Sequence, residues 1–133
     1  MRHHSQFRVS FGDCDPAGIV FYPNFFRWLD ACFHEYLAGH GGHEKVCESV
    51  GSIGLGLMDA SARFRRPVKP GDVLTVVITG FEWSEKSLTL RYEGRLGDTV
   101  AMTGTEVRGM FIRTETGLRG GEMAPLRAIL DPA

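Results

Sequence analysis

The feature that most constrains the fold is one long amphipathic helix pattern, followed by segments that mostly resemble strands. The pattern begins near Tyr22, where Pro23 suits the first helical position because its missing N–H would have no helical partner there. It ends at Gly39, a residue type that commonly terminates helices. Apolar side chains recur at spacings of three and four: Phe25, Leu29, Cys32, Phe33 and Tyr36. This aromatic stripe predicts a helix that packs against a sheet.

Five segments have the alternation or the β-branched and aromatic composition typical of strands. They are residues 7–11, 57–64, 73–83, 88–96 and 99–113. The links after the third and fourth segments are short, which predicts antiparallel neighbours. Weaker patterns predict a helical turn around 44–50 and a short helix or strand over 123–130. We therefore expect one α+β domain over residues 1–133, with the last four strands in a meander.

Segment 73–83 has apolar side chains on both faces of the predicted strand. Val73, Val77 and Phe81 alternate with Leu74, Val76 and Ile78. One helix covers only one face of a sheet well. We therefore expect the uncovered face, or an edge of the sheet, to contact another copy of the chain, which predicts at least a homodimer.

Charge and cysteine content exclude several classes of partner. The net charge is −1 with 23% charged residues, so no broad field favours nucleic acid or an acidic membrane surface. Three irregularly spaced cysteines are typical of a reducing compartment rather than a disulfide framework. No apolar run approaches the length of a signal core or a membrane span. The sequence predicts a cytoplasmic protein that binds neither nucleic acid nor membrane.

The turn before the helix concentrates residues that could perform chemistry. Asp13 and Asp15 flank Cys14, and Pro16 and Gly18 follow before the helix start. Backbone N–H groups at a helix start lack internal partners and can stabilise a developing negative charge. A carboxylate beside such donors suits hydrolysis of an acyl thioester. Asp15 is preferred because it is closer to the helix; alternatively, both aspartates only cap the turn.

Three further residues near the turn have a functional and a structural interpretation. The Tyr22 backbone N–H could bind a thioester carbonyl oxygen, whereas its phenol is expected to be a buried aromatic group. Asp30 could recognise a substrate hydroxyl, but the default expectation is solvent exposure or a pair with Arg27. Cys14 could be a nucleophile, but no histidine is near it in sequence, and such cysteines are usually inert.

Metal and phosphate sites have weaker support in the sequence. His40, His43 and Cys47 have ligand-like spacing but lack an evident fourth ligand, so we expect no metal. Serine-nucleophile, phosphate-loop and dinucleotide motifs are missing from the sequence. Several basic residues are candidates for binding a phosphate-bearing ligand: Arg63, Arg65, Arg66, Lys69, Lys86 and Arg127.

The run FGDCDPAGIVFYPNFFRWLDA, residues 11–31, closely resembles the signature of the 4-hydroxybenzoyl-CoA thioesterases of the hot-dog fold. A weaker match returns at 126–129. The resemblance implies a long central helix wrapped by a five-stranded antiparallel sheet, with dimers paired into a homotetramer. It also implies an acyl-CoA substrate, two active sites at each dimer interface and no cofactor, since coenzyme A is part of the substrate.

The resemblance also implies roles for individual residues. Asp15 would be the catalytic carboxylate, as nucleophile or as general base toward water, and the Tyr22 N–H would polarise the thioester carbonyl. Asp30 would bind the aroyl end of the substrate, supplied either by the same chain or by the partner chain. Lys86 and Arg127 match basic positions that bind coenzyme A phosphates.

Two departures from the family pattern leave the substrate open. Ser84 and Glu85 replace two arginines that precede the lysine, and Phe25-Phe26 replaces a Tyr-His pair. The first change affects the nucleotide contacts and the second the acyl preference. The alternatives are a short-chain aliphatic acyl-CoA thioesterase and a non-catalytic acyl-CoA-binding module. A hot-dog dehydratase is disfavoured because the signature contains no histidine.

Overall fold

The computed structural model describes residues 2–132, which form six strands and three helices. In chain order these are β1 (His3–Arg8), α1 (Pro23–Ala38), α2 (His43–Val50), β2 (Gly54–Phe64), β3 (Val73–Trp83), β4 (Leu88–Leu96), β5 (Thr99–Thr114), β6 (Gly117–Gly120) and α3 (Ala124–Leu130). The predicted bounds of β3 and β4 match the structure. The predicted helical turn is α2, and the segment predicted as helix or strand is α3.

The sheet is antiparallel, with strand order β1-β3-β4-β5-β2. The predicted meander is correct for β3, β4 and β5 but wrong for β2, which pairs with β5 at the far edge. That pairing joins residues 38 to 57 positions apart, from Phe64 opposite Met102 to Gly54 opposite Phe111, so no short link encodes it. The added strand β6 pairs with the end of β5 on the side away from β2.

The first strand is also shifted from its prediction. β1 covers His3–Arg8 instead of residues 7–11, because its pairing with β3 extends toward the N-terminus. A 3-10 turn over Phe11–Asp13 follows, and Phe11 is 87% exposed. The backbone N–H and the hydroxyl of Ser10 both donate to Asp13 Oδ2, at 2.9 and 3.0 Å, which ends the extended segment.

Helix α1 packs its apolar stripe on the sheet, as predicted. Its buried residues are Phe25, Trp28, Leu29, Cys32, Phe33 and Leu37. The helix approaches β5 closely at Gly104, where an added Cβ would lie 2.6 Å from Leu29 Cδ1. At its other end, the hydroxyl of Tyr36 donates to the carbonyl oxygen of Leu130 at 2.6 Å, which ties α1 to α3. One long helix on a curled antiparallel sheet is the arrangement expected of a hot-dog fold.

Membrane insertion through a helix finds no support in the structure. Within residues 2–132, none of the helices combines the length and apolar character that a bilayer crossing requires. The cytoplasmic location stays a prediction.

Candidate active site

The turn that carries Asp15 is a short antiparallel loop closed by backbone hydrogen bonds. Cys14 pairs with Val20, and the Asp15 N–H donates to the Ile19 carbonyl at 2.9 Å. Gly18 closes the loop by donating to the Asp15 carbonyl at 2.9 Å, and its φ of 79° is a conformation that glycine adopts readily. The loop therefore holds Asp15 in a defined position just before α1.

The two aspartates of the turn have different surroundings. Asp13 is a capping residue, as the structural alternative predicted, because its carboxylate accepts from Ser10 and lies 3.4 Å from Arg27 Nη2. Asp15 Oδ1 accepts from the Ala17 N–H at 2.9 Å. Asp15 Oδ2 has no hydrogen-bond partner within residues 2–132, so one carboxylate oxygen remains available to a substrate or water.

Tyr22 is the residue from which α1 starts, and its backbone N–H is unpaired in the described part of the chain. The preceding N–H groups are used: Val20 donates to Val68 O and Phe21 to Asp13 O, at 2.8 and 2.9 Å. Pro23 has no N–H, so the Tyr22 N–H is the donor at the helix start. The prediction of a buried phenol is wrong, since Tyr22 is 59% exposed at the surface.

Asp15 and Tyr22 line one cleft of about 440 Å³. Its remaining walls are mostly apolar and include Val20, Phe25, Phe64 and Val68. Arg65 and Arg66 also line this cleft, and neither side chain forms an ion pair within residues 2–132. Asp15, Tyr22 and an apolar wall thus line one volume, and both Asp15 Oδ2 and the Tyr22 N–H are unpaired within residues 2–132.

Asp30 has a different partner from the one that the sequence predicted. Its Oδ1 accepts from Arg108 Nη2 at 2.7 Å and lies 3.6 Å from His34 Nε2. Arg27, the expected partner, instead lies near Asp13. Asp30 is not among the residues that line the Asp15 cleft within one chain.

Two charged residues that were not predicted from the sequence, Glu106 and Arg108, are buried on β5. Burial alternates along this strand, and the two charged residues occupy inward positions between Met102 and Met110. A charge at an inward position of an alternating strand was the signal that could have revealed them. Burial opposes the charge of Arg108, but Glu106 and then Asp30 outweigh it and raise the pKa of the guanidinium.

Lys86 and Arg127, the residues predicted to bind coenzyme A, lie near the turn that joins β3 to β4. Arg127 lines a second cleft of about 300 Å³ together with Ser84, Glu85 and Glu122. The Met123 N–H donates to the Glu85 carbonyl at 2.8 Å and holds the start of α3 beside the turn that contains Lys86. This cleft shares no lining residue with the Asp15 cleft.

The thiol and metal alternatives gain no geometric support. Burial and then the carboxylates of Asp13 and Asp15 raise the pKa of the Cys14 thiol, so it is a poor nucleophile near neutral pH. Cys47 Sγ lies 3.6 Å from His43 Nε2, but that nitrogen also faces the Leu55 N–H at 3.2 Å. Within the described chain, no three ligating side chains are grouped so that they could hold a metal ion.

A carboxylate residue and a free helix-start N–H at one cleft of this fold define a candidate thioester-hydrolysing site. Comparison with known proteins identifies the family. The sequence profile of the thioesterase-like superfamily matches residues 9–130. The chain therefore belongs to the thioesterase-like superfamily. This confirms the predicted family, the hot-dog fold and the expected enzyme class, a thioesterase.

Individual relatives refine the comparison. The chain is 40% identical over 90 residues to the 4-hydroxybenzoyl-CoA thioesterase of Pseudomonas sp. (strain CBS-3), a match that covers 65% of this chain and 63% of that relative. It is 29% identical to the 1,4-dihydroxy-2-naphthoyl-CoA hydrolase of Synechococcus sp. (strain CC9311), over 86% of this chain and 79% of the relative. A crystal structure of a mutant 4-hydroxybenzoyl-CoA thioesterase complexed with 4-hydroxybenzoyl-CoA superimposes with a TM-score of 0.81 and 31% identity, covering 98% of this chain and all of that one.

Proposed function

We propose that this protein hydrolyses an aromatic acyl-CoA, such as 4-hydroxybenzoyl-CoA, to the free acid and coenzyme A. The observation that carries the proposal is the shared cleft in which Asp15 Oδ2 and the Tyr22 N–H are both unpaired within residues 2–132. A thioester carbonyl placed between them would meet a base or nucleophile on one side and an oxyanion donor on the other. The names of the relatives support an aromatic acyl group.

In the proposed reaction, Asp15 brings about nucleophilic attack on the carbonyl carbon of the thioester, by one of two routes. As general base it takes a proton from water, whose oxygen attacks that carbon; as nucleophile its own oxygen attacks, and water then cleaves the resulting anhydride. In both routes the Tyr22 N–H binds the carbonyl oxygen as negative charge develops there. The tetrahedral intermediate collapses by breaking the carbon–sulfur bond, and the coenzyme A thiolate leaves and is protonated.

The cleft wall favours a flat, apolar acyl group. Phe25 and Phe64 have ring centroids 5.2 Å apart and both line the cleft, next to Val20 and Val68. Aromatic rings pack well against such surfaces in offset or tilted arrangements. Asp30 is proposed to bind the distal end of the acyl group. Since Asp30 does not line the Asp15 cleft of its own chain, that contact is proposed to come from the partner chain.

Coenzyme A is proposed to bind through Lys86 and Arg127. The turn that contains Lys86 lies beside the start of α3, which carries Arg127. Phosphate oxygens are suitable partners for both cations. Glu85 and Glu122 line the Arg127 cleft and would weaken the attraction of this cleft for phosphate groups. We therefore expect a lower affinity for coenzyme A than if arginines stood at positions 84 and 85, as in the family pattern.

The proposed assembly is a homodimer, with two dimers paired into a homotetramer. Strand β2 is an edge of the sheet and exposes Leu57 and Met58, at 51% and 60%. Long edge strands with exposed apolar residues favour pairing with another chain. A second copy could also bring the separate Asp15 and Arg127 clefts of two chains together.

The test is a thiol-release assay with purified protein and a panel of coenzyme A esters. We expect hydrolysis of 4-hydroxybenzoyl-CoA, benzoyl-CoA and 1,4-dihydroxy-2-naphthoyl-CoA with higher kcat/KM than butyryl-CoA. Equal or better rates with butyryl-CoA would support an aliphatic thioesterase instead. Saturable binding of the esters with no thiol release would support a non-catalytic binding module.

A further inference from the structure

A buried charge network lies beneath Asp30, and the proposed reaction does not use it. Glu106 is 1% exposed and Arg108 is 4% exposed on β5. Arg108 Nε and Nη2 both donate to Glu106 Oε1, at 3.2 and 3.0 Å, and the Tyr92 hydroxyl donates to the same oxygen at 2.6 Å. The Phe33 ring covers the guanidinium, with its centroid 4.7 Å from Arg108 Cζ.

The network reaches the surface through one hydrogen bond. Arg108 Nη2 donates to Asp30 Oδ1 at 2.7 Å, and the Asp30 side chain is 49% exposed. Because a buried donor holds one carboxylate oxygen, the orientation of Asp30 is set from below. Asp30 Oδ2 has no hydrogen-bond partner in the described part of the chain, so it remains free to accept one.

The charges of the network define what Asp30 can bind. Glu106 already neutralises Arg108 inside the protein, so the two carboxylates and one guanidinium leave one negative charge, located at Asp30. An ionised carboxylate only accepts hydrogen bonds. It therefore favours a neutral hydroxyl, which can donate, and disfavours an anionic group such as a second carboxylate.

We propose that Arg108 is a positioning residue that orients Asp30 to accept a hydrogen bond from a neutral hydroxyl at the distal end of the acyl group. The inference rests on the proposed role of Asp30 in substrate binding. It makes Arg108 and Asp30 one unit, in which the buried residue sets the acyl preference without touching the substrate. A purely structural Arg108 would only neutralise Glu106 and would affect all substrates alike.

The test compares 4-hydroxybenzoyl-CoA with benzoyl-CoA, which lacks only the hydroxyl, in thiol-release assays that give kcat and KM separately. Arg108→Lys keeps a cation beside Glu106 but loses the planar fork that binds both carboxylates. We expect this variant to lower kcat/KM for 4-hydroxybenzoyl-CoA about tenfold more than for benzoyl-CoA, as expected for a weakened hydrogen bond to a charged group. Arg91→Lys, which changes an exposed ion pair with Glu82, is the control. It should leave unchanged the ratio of kcat/KM for 4-hydroxybenzoyl-CoA to kcat/KM for benzoyl-CoA.

Asp30→Asn and the double variant Asp30→Asn/Arg108→Lys complete a cycle. We expect Asp30→Asn to reduce the same ratio and the double variant to reduce it no further, because both changes remove one interaction. The inference would be overturned if the double variant reduced the kcat/KM ratio by the product of the two single losses. An equal effect of Arg108→Lys on both substrates would also overturn it. So would a wild type that does not prefer the hydroxylated ester, or an Asp30→Asn variant that keeps the preference.

Two controls keep these outcomes distinct from failure of the proposed function. If the wild type releases thiol from no ester, the proposed function itself fails. Circular dichroism checks that each variant is folded. If Arg108→Lys does not fold, Glu106→Gln/Arg108→Gln removes both buried charges together, and the same loss of preference is expected from it.

Discussion

Replacing Arg108 by methionine should destabilise the protein strongly, because it leaves a charged carboxylate in the core. Glu106 is 1% exposed, and without Arg108 its one remaining donor among the described residues is the Tyr92 hydroxyl. Breaking a buried ion pair by removing one partner costs about 3–5 kcal/mol. At about 2.1 cal/mol/K of unfolding entropy per residue, this lowers the Tm of a chain of 133 residues by about 10–18 °C.

Thermal unfolding followed by circular dichroism measures this effect, at one protein concentration because the Tm of an oligomer depends on concentration. Adding Glu106→Gln to Arg108→Met should recover much of the loss, because no buried charge then remains. Arg91→Met, at an exposed ion pair, should change the Tm little. An Arg108→Met variant as stable as the wild type, or a double variant less stable than Arg108→Met, would show that Arg108 does not compensate a buried charge on Glu106.

Two further changes test other parts of the structure. Burial lowers the pKa of His43, whose Nε2 accepts from the Leu55 N–H. The folded state therefore favours the neutral imidazole, and the contribution of His43 to stability is fully present above the unfolded-state pKa of about 6.5. That contribution is lost as the pH falls from there toward the lower folded-state pKa. His43→Gln should therefore lose less Tm than the wild type between pH 7.5 and 5.5, and equal losses would contradict this. Gly104→Ala should cost about 1–3 kcal/mol in urea unfolding, because its Cβ would meet the buried Leu29. Gly80→Ala, on a strand position with open space, is the matched control, and equal effects of the two changes would contradict the packing argument.

Elements with strong local patterns were predicted well. Helix α1 starts at Pro23 and ends next to Gly39, as the terminating residues indicate. The alternation and short links around 73–96 gave the observed bounds of β3 and β4. These features depend on neighbours in sequence, so one chain is sufficient to predict them.

Features that depend on distant segments were predicted poorly. The position of β2 at the far edge arises from its pairing with β5, and no local signal specifies it. β1 was shifted because its register is set by β3. The partner of Asp30 was not predicted for the same reason, because most of the strands lie between Asp30 and Arg108 in the sequence.

The candidate site was predicted in part. The order of residues in the turn indicated Asp15 over Asp13, and the hydrogen bonds of Asp13 explain why it is committed to capping. The free Tyr22 N–H follows from Pro23 and the helix start, both readable in sequence. The apolar wall formed by Phe64 and Val68 depends on how the segment after β2 folds back, which only the structure provides.

We propose that Asp15 performs the hydrolysis, and the kcat of Asp15→Asn in the thiol-release assay tests this role. The change keeps the size of the side chain but removes the base or nucleophile, so kcat should fall by about 10²- to 10⁴-fold with the coenzyme A ester still bound. Asp13→Asn, at the capping carboxylate two residues away, should lower kcat far less. An Asp15→Asn protein that turns over at the wild-type rate would show that Asp15 does not perform the hydrolysis.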